Sequence, residues 1–537
     1  MNDRTLYRLA DSTAAEALVD HWVAWPHTFS PVPYSLHMLN YQKKNLTSYL
    51  QNPAIHLKSS ANPKLLGGPF VNVPVDRAAD IAQMLERMGG EHAESLRMAE
   101  DLIAFQNLLD CEAIGQSLEA YYPQLPRSLR GYVELLYDYN NRPIVRCIES
   151  LFYKSRHYKK HLQSLRLFTQ THDRARAYYM STPRLPNGES ISWQIPFAEA
   201  AVDELFKLDS RPQSLGYIRE VLGLNAGDEG RLIRLLTDRA PHAGEAWQGS
   251  DVRIRYLGHA GVLVETAGIT VLIDPFIAVK PSQGGIERYS FQDLPAHIDY
   301  VLITHVHHDH YVFETLLRLR HKIGYLVVPK SSGIFYADIS MKLLARELGF
   351  RQVVEVDPLD SIPLTGGEIV AVPFLGEHND LPFAKSAYLV RAGNRKVLFA
   401  ADSNCLDEQM YRNLCAEYGS IDTVFLGMEC IGAPLSWVYG ALLPKLPDHK
   451  HCQARRSNGS NAEGALRLLD AVGASRVYVY AIGREPWLQY FMALEPEDDD
   501  AYIREINKML DVCRERGFSD ARRLYGRDEI FLRSAER

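Results

Sequence analysis

Four side chains of metal-ligand type lie within six residues in the second half of the chain. Imidazoles stand at positions 305 and 307, a carboxylate at 309 and a further imidazole at 310. Alternate residues of an extended segment point the same way, so His305 and His307 can bind one metal ion. A turn after them then presents Asp309 and His310 to a second ion. This cluster of imidazole and carboxylate groups predicts a site for two metal ions.

The elements around this cluster are typical of an α/β fold. Residues 298–303 form a short apolar run of the buried-strand type, and apolar residues recur with helical spacing from Tyr311 onward. Such folds place their chemistry where strands end and helices begin. The alternating or apolar runs that predict the preceding strands are residues 252–257, 262–265 and 269–273.

The length of 537 residues predicts two domains, because a single core seldom grows this large. A Gly- and Pro-containing connection at residues 239–250 places the boundary, giving domains 1–245 and 246–537. The first domain is expected to be mixed and mainly helical. Its predicted helices are residues 76–88, with Asp76 as N-cap and Gly89-Gly90 as the stop, residues 94–109, and residues 146–167.

Composition limits the classes of partner. A net charge of −7 argues against nucleic acid, which needs a positive field. No apolar run is long enough to span a membrane and no leader peptide is recognised, so we expect a cytoplasmic protein that does not bind membranes. Two basic stretches, residues 154–160 and 445–456, are the local exceptions. They are candidate docking surfaces for an acidic partner or ordinary solvated charges.

The turn of residues 258–261, the pair Asp274-Pro275 and the H-x-H-x-D-H motif resemble the metallo-β-lactamase superfamily. This resemblance implies an α/β fold class, with a C-terminal αββα sandwich that follows the mainly helical N-terminal domain. Asp402, after the predicted strand ending near residue 400, matches the carboxylate that bridges the two metals in that superfamily. His259 and Asp274 are expected to support the site or the turns around it.

The sequence departs from the hydrolases of this superfamily in two places. The late strand at residues 476–480 is not followed by a histidine, and a carboxylate, Glu377, precedes His378. Oxygen ligands in place of nitrogen suit iron or manganese better than zinc, which indicates redox chemistry with O₂ rather than hydrolysis. A dizinc hydrolase of an ester, lactone or phosphodiester is the alternative, and a non-catalytic binding protein is a third.

A narrower resemblance covers the whole chain. The opening residues 6–10, the segment around Glu377 and residues 427–430 are similar to the diiron β-hydroxylases of chloramphenicol-type antibiotic biosynthesis. The resemblance implies a monooxygenase that hydroxylates the β-carbon of p-aminophenylalanine held on a nonribosomal peptide synthetase carrier domain. It further implies two Fe ions, O₂ as cosubstrate, an external reductase and a homodimer. The N-terminal domain would then serve dimerisation, substrate access or carrier docking.

With this resemblance, the predicted metal ligands are His305, His307, Asp309, His310, Glu377 and Asp402. Glu377 is also the predicted catalytic residue. Neighbours on a strand point to opposite faces, so one of Glu377 and His378 is expected to bind metal, and the residues alone leave the choice open. Glu429, after an apolar strand, is expected either to support the site or to cap a loop.

Overall fold

The structure is a computed structural model that describes residues 5–224, 226–242, 244, 246–376, 383–494 and 497–533. The N-terminal strands are β1 (Leu6–Leu9), β2 (Thr13–Val19), β3 (Trp22–Val23), β4 (Val133–Tyr137), β5 (Pro143–Cys147), β6 (Gln163–Thr169), β7 (Ile191–Gln194), β8 (Gln213–Ser214) and β9 (Leu236–Thr237). The N-terminal helices are α1 (Pro26–Phe29), α2 (Pro31–His37), α3 (Lys43–Gln51), α4 (Pro53–Ser60), α5 (Ala78–Glu91), α6 (Ala93–Glu112), α7 (Glu149–Phe152), α8 (Ala200–Lys207), α9 (Leu215–Leu222) and α10 (Glu229–Arg234).

The remaining strands are β10 (Val252–Gly258), β11 (Gly261–Thr266), β12 (Ile269–Ile273), β13 (Ile298–Leu302), β14 (Ile323–Pro329), β15 (Val353–Val356), β16 (Ser361–Leu364), β17 (Gly367–Val372), β18 (Ala387–Ala392), β19 (Arg395–Phe399), β20 (Thr423–Gly427), β21 (Arg476–Tyr480), β22 (Asp520–Arg523) and β23 (Asp528–Leu532). The remaining helices are α11 (Phe313–Leu319), α12 (Met341–Glu347), α13 (Glu408–Tyr418), α14 (His449–Ala454), α15 (Ala462–Val472), α16 (Gln489–Met492) and α17 (Ala501–Glu515).

Two seven-stranded sheets pack face to face in the C-terminal part. Their strand orders are β15-β14-β13-β12-β11-β10-β23 and β16-β17-β18-β19-β20-β21-β22. Apolar side chains from both sheets form one buried layer between them, for example Ile254 and Leu302 with Phe399 and Phe425. Helices α13, α15 and α17 cover the outer face of the second sheet, and α11 and α12 cover the first. The predicted αββα sandwich is therefore confirmed.

The N-terminal part is built on a four-stranded sheet of order β3-β2-β6-β7. Strands β2 and β6 pair antiparallel from Thr13 with Thr169 to Val19 with Gln163. Buried residues of this part share one apolar cluster with the outer face of the first sandwich sheet, as Phe29 does with Phe313 at 5.2 Å between ring centroids. The N-terminal part therefore packs directly behind the segment that carries the histidine motif.

The helix predicted at 94–109 is confirmed as α6, whereas two other helix predictions need correction. Residues 146–167 contain the end of β5, the short α7 and most of β6, because residues 163–169 pair with β2 instead of coiling locally. Helix α5 begins at Ala78, after a 3₁₀ turn that includes Asp76, and continues through Gly89 and Gly90. Among the described residues, no helix has both the length and the apolar character needed to cross a membrane.

Candidate metal centre

The histidine motif follows the carboxyl end of β13, which is an inner strand of the first sheet. The backbone N–H groups of His310 and Tyr311 both donate to the carbonyl of His307, at 3.2 and 2.9 Å, and so close a tight turn. This turn brings His310 back beside His305, with 4.0 Å between the two ring centroids. His305 and His310 are fully buried, and His307 and Asp309 are nearly so.

The donor atoms form two groups. In the first, Nε2 of His305 lies 3.1 Å from Nδ1 of His307 and 3.5 Å from Oδ2 of Asp402. In the second, Nε2 of His310 lies 3.6 Å from Oδ2 of Asp309 and 3.4 Å from the same oxygen of Asp402. Asp402 therefore reaches both groups, which is what a bridging carboxylate requires.

Asp402 follows β19 and is placed by the backbone of the neighbouring strand. The N–H of Gly427, the last residue of β20, donates to the carbonyl of Ala401 at 2.8 Å. A Cβ atom at position 427 would stand only 2.9 Å from Oδ1 of Asp402, so a larger residue would displace the carboxylate. Glycine at 427 therefore allows β20 to approach Asp402 this closely.

These residues fit the binding of two metal ions. Two donor atoms about 2.1 Å from one ion, at angles of roughly 90–110°, stand about 3.0–3.4 Å apart, close to the separations found here. Nε2 of His310 is buried and makes no hydrogen bond, although it faces Asp402. A buried nitrogen without a partner is costly, and a cation beside it removes that cost.

Asp274 and Thr304 determine which nitrogen of each ring faces the centre. Oδ2 of Asp274 lies 2.8 Å from Nδ1 of His310 and 2.5 Å from Oγ1 of Thr304. Nδ1 of His305 lies 2.9 Å from the same Thr304 oxygen. With Thr304 donating to Asp274, both histidines donate from Nδ1 and direct Nε2 toward the metal centre. The supporting role predicted for Asp274 agrees with these contacts.

His259, which is expected to support the site or the turns around it, lies directly beside the predicted metal ligands. Its Nε2 is 3.0 Å from Oδ2 of Asp309, and with Asp309 and His310 it forms a group of side chains able to hold an ion. Its carbonyl accepts a hydrogen bond of 2.9 Å from the N–H of Ala481, directly after β21. A histidine in the turn between β10 and β11 therefore lies beside the place where the hydrolases of this fold carry their late histidine. Glu377 and His378 lie outside the described residues.

Comparison with known proteins identifies the family. The family model for the diiron non-heme β-hydroxylase N-terminal domain matches residues 8–241. The family model for the β-lactamase superfamily domain matches residues 270–480. The chain is 34% identical, over 98% of its length and 100% of the relative, to the 4-amino-L-phenylalanyl-(CmlP-peptidyl-carrier-protein) 3-hydroxylase of Streptomyces venezuelae. The chain belongs to the diiron non-heme β-hydroxylase family. The predicted diiron cofactor and hydroxylase activity are thereby confirmed.

Solved structures agree with this assignment. The crystal structure of CmlA, a diiron β-hydroxylase from Streptomyces venezuelae, superposes with a TM-score of 0.91 at 32% identity, covering 98% of this chain and 100% of that one. A metal-dependent hydrolase of Brucella anthropi is 30% identical, but over only 22% of this chain and 42% of its own. Membership of a β-hydroxylase family favours the oxygenase over the dizinc hydrolase and over a non-catalytic protein.

The charges in this β-hydroxylase centre are strongly coupled. Burial by itself would lower the pKa of His310, but Asp309, Asp402 and Asp274 raise it well above the ordinary value. Burial opposes the charged form of Asp309, yet His310 and a hydrogen bond from His259 hold its pKa well below the usual range. In Glu429 burial, with the charges of Asp402 and Asp309, raises the pKa to about 8. The centre thus attracts positive charge strongly.

His308 is the motif histidine that turns away from the centre. Both of its ring nitrogens are buried without a hydrogen-bond partner, and burial lowers its pKa to about 4. Its ring packs against Phe491 at 5.2 Å, Tyr179 at 5.7 Å and Trp25 at 6.1 Å. His308 is therefore a neutral part of an aromatic wall, a role that the sequence pattern did not reveal.

A pocket of about 100 Å³ opens beside the centre. Asp309, Asp402 and Glu429 form its polar end. The rest is largely apolar and aromatic, formed by Leu435, Trp437, Val438, Tyr439, Met492 and Leu494. The ring of Tyr439 stacks on that of His307, with 5.3 Å between centroids. The sequence did not identify these pocket residues, because they follow β20 and β21 without any recognisable motif.

Proposed function

We propose that this protein hydroxylates the β-carbon of an aromatic amino acid of the 4-aminophenylalanyl type. The amino acid is held as a thioester on a nonribosomal peptide synthetase carrier domain, in a chloramphenicol-type antibiotic pathway. O₂ is the usual cosubstrate of such a hydroxylation, and two electrons come from a separate reductase. The observation that carries the proposal is the similarity over almost the whole chain to a hydroxylase of that carrier-bound substrate.

The pocket supports an aromatic substrate. Trp437 and Tyr439 offer ring faces, while Leu435 and Val438 complete an apolar wall. An aromatic side chain in such a pocket gains both area burial and ring contacts. At the polar end of the pocket, the carboxyl group of Glu429 offers a hydrogen-bond acceptor to a ligand that carries an amino group. Apolar walls also exclude water from the reacting atoms.

Six residues of this chain would hold the irons. We assign His305 and His307 to one ion, and Asp309 and His310 to the other. Asp402 would bind both, and Glu377 is the sixth proposed ligand and the proposed catalytic residue. When bound, the two irons supply the redox chemistry that activates O₂. The anionic ligands favour the more highly charged metal.

Hydrogen bonds around these ligands set their protonation. Asp274 holds the proton of His310 at Nδ1, and Thr304 holds that of His305 at Nδ1. The lone pairs on both Nε2 atoms are therefore directed into the centre. His259 donates from Nε2 to Asp309, which orients that carboxylate. These contacts pre-organise the centre before any substrate arrives.

The two domains, residues 1–245 and 246–537, would have different functions. We assign the metal centre to the second domain, and dimerisation, substrate access or carrier docking to the first. A homodimer, the external reductase and a cytoplasmic location belong to the same proposal. Of the two basic stretches, residues 154–160 are largely engaged with the chain's own acids. Lys160 pairs with Glu347 at 2.9 Å and Arg156 with Glu94 at 2.8 Å.

The proposal is tested by mass spectrometry of an aminoacylated carrier domain. Iron-loaded protein, a chemical reductant and O₂ are added to the 4-aminophenylalanyl carrier, and the intact mass of the carrier is followed. We expect a gain of one oxygen, located at the β-carbon by fragmentation. Loss of the aminoacyl group would instead indicate a hydrolase, and faster hydroxylation of the free amino acid would contradict the carrier-bound substrate. The metal-free protein is the control.

A further inference from the structure

A large cavity in the N-terminal part carries an excess of positive charge. Its volume is about 710 Å³, and its lining includes five arginines (Arg77, Arg166, Arg176, Arg184, Arg234) and two glutamates (Glu16, Glu189). Exposed residues such as Asn187 and Arg234 stand at its opening, whereas Arg184 and Glu16 are buried at its floor. An overall negative protein thus encloses a positive cavity.

The arginines at the floor are arranged around Glu16. Arg166, Arg176 and Arg184 each bond its carboxylate, at 2.8, 2.9 and 3.0 Å. Burial alone would raise the pKa of Glu16, but these three guanidinium groups hold it well below the usual range. Glu16 therefore stays ionised and offsets one of the three charges. Arg176 reaches a second carboxylate, Glu314 on α11, at 3.1 Å.

One guanidinium N–H group in this wall has no partner. Nε of Arg166 is buried and makes no hydrogen bond, although Nη1 of the same side chain bonds Glu16. That buried atom is out of reach of a ligand, but the five guanidinium groups that line the cavity favour a ligand that brings acceptor oxygens. Arginine binds phosphate especially well because its N–H groups match the phosphate oxygens.

A second cavity of about 250 Å³ continues from the first toward the metal centre. The two share Asn72, Arg176, Ala177 and Thr182 among their lining residues. Gly67 and Tyr178 also line the second cavity.

A pair of stacked aromatic rings connects the linings of the second cavity and the metal pocket. The ring of Trp437 stacks on that of Tyr178, with 6.5 Å between centroids and 17° between planes. Nε1 of Trp437 also donates to the carbonyl of Gly67 at 3.0 Å. Because Tyr178 lines the second cavity and Trp437 lines the metal pocket, this pair lies between the two.

We propose that the arginine-lined cavity binds the phosphate of a phosphopantetheine arm. The arm then runs through the second cavity toward the Tyr178–Trp437 pair and the metal pocket. The inference rests on the proposed function, which supplies a carrier-bound substrate. The cavity is favoured over the basic stretch at residues 445–456, where Lys450 is exposed, because buried guanidinium groups are screened less by solvent and salt.

The test measures binding without turnover. Calorimetry on the full-length, iron-loaded protein compares three probes: 4′-phosphopantetheine, pantetheine without phosphate, and inorganic phosphate. We expect phosphopantetheine to bind more tightly than either of the others. Arg166→Gln and Arg77→Gln should each weaken it roughly tenfold, as expected for loss of a charge-assisted hydrogen bond. Arg77 is one-third exposed and bonds Asp80 one turn away, so its variant leaves the Glu16 cluster intact.

Two control variants complete the test. Arg97→Gln, on the exposed face of α6, should bind phosphopantetheine like the wild type, and so should Lys450→Gln. The proposal is overturned if neither cavity variant weakens binding, or if Lys450→Gln weakens it instead. Equal binding of pantetheine would exclude phosphate recognition, and equal binding of inorganic phosphate would reduce the cavity to a bare anion site.

Hydroxylation of the aminoacyl carrier by the same variants separates this inference from the proposed function. If the wild type hydroxylates the carrier-bound amino acid and Arg166→Gln and Arg77→Gln do so equally well, the proposed phosphate-binding cavity is overturned. The proposed hydroxylase function then stands. If phosphopantetheine binding depends on Arg166 but the carrier-bound amino acid is not hydroxylated, the proposed phosphate-binding cavity is supported. The proposed hydroxylase function is then overturned.

Discussion

Oδ2 of Asp274 lies 2.8 Å from Nδ1 of His310, and this contact connects the end of β12 to the metal centre. Both groups are fully buried, and the same carboxylate accepts a hydrogen bond from Thr304. Because Asp274 accepts from both sides, it fixes the proton on the outer nitrogen of His310. The inner nitrogen is left to bind metal.

Replacing Asp274 by asparagine should weaken iron binding. The amide keeps one acceptor but turns an NH₂ group toward a neighbour that already donates, so the orientation of His310 is lost. We expect roughly 10–100-fold weaker binding of Fe²⁺, measured by competition with a chelator. Asp299→Asn is the matched control, since Asp299 bonds Thr270 on the same sheet at 2.8 Å, away from the motif. Unchanged affinity in the Asp274 variant would show that the contact is not needed.

Replacing Asp402 by asparagine should lower the iron content below two per chain. Oδ2 of Asp402 stands 3.5 Å from Nε2 of His305 and 3.4 Å from Nε2 of His310. An amide cannot bridge two ions as a carboxylate does. Metal analysis of the purified variant measures the loss. Asp407→Asn, at the N-cap of α13, where the amide oxygen can still accept from the N–H of Gln409, should keep two irons. A full complement of iron in Asp402→Asn would refute the bridging role.

The choice between Glu377 and His378 can be made by a pair of alanine variants. If Glu377 binds iron, Glu377→Ala should lose turnover on the carrier-bound substrate and reduce iron content, while His378→Ala keeps two irons. Carboxylate ligands stabilise the oxidised metal, so the ultraviolet absorption of the iron centre should change only in the first variant. The opposite pattern would assign His378 to the metal.

His308→Leu should leave the iron content unchanged, unlike His305→Leu. The His308 ring packs among aromatic residues and both of its nitrogens are unsatisfied. Leucine removes two buried polar atoms at similar volume, so we expect equal or higher stability, by about 1 kcal/mol. Metal analysis and thermal unfolding measure the two effects. Iron loss in His308→Leu would place this side chain among the ligands.

His37→Phe should make the protein less sensitive to acid. Burial, followed by the charge of His27, lowers the pKa of His37 from 6.5 to about 3. Between those pH values the unfolded chain binds a proton that the folded chain does not, so stability falls as pH falls. The variant should reduce that slope by about 1.4 kcal/mol per pH unit.

Denaturant unfolding at several pH values measures this slope. His172→Phe is the control, because His172 is exposed. An unchanged slope in His37→Phe would mean that His37 takes up its proton while the protein is still folded.

Local patterns predicted a large part of the C-terminal fold. The strands β10, β11, β12 and β13 lie where alternation or apolar runs placed them, because each repeats a simple rule within a few residues. The same rule failed at residues 146–167. Strand β6 is decided by its pairing with β2, which lies far away in the chain and is invisible to local spacing.

The sequence by itself predicted a metal site at residues 305–310, because four ligand-type side chains stand within six residues. Only the tertiary structure decided what surrounds them. Asp274 and Asp402 reach the motif from separate strands, and His308 turns into an aromatic wall. The arginines around Glu16 lie 150 to 168 residues away from it along the chain and form no recognised motif. Packing and burial in the folded protein decide these contacts, and the spacing of residues along the sequence reveals neither.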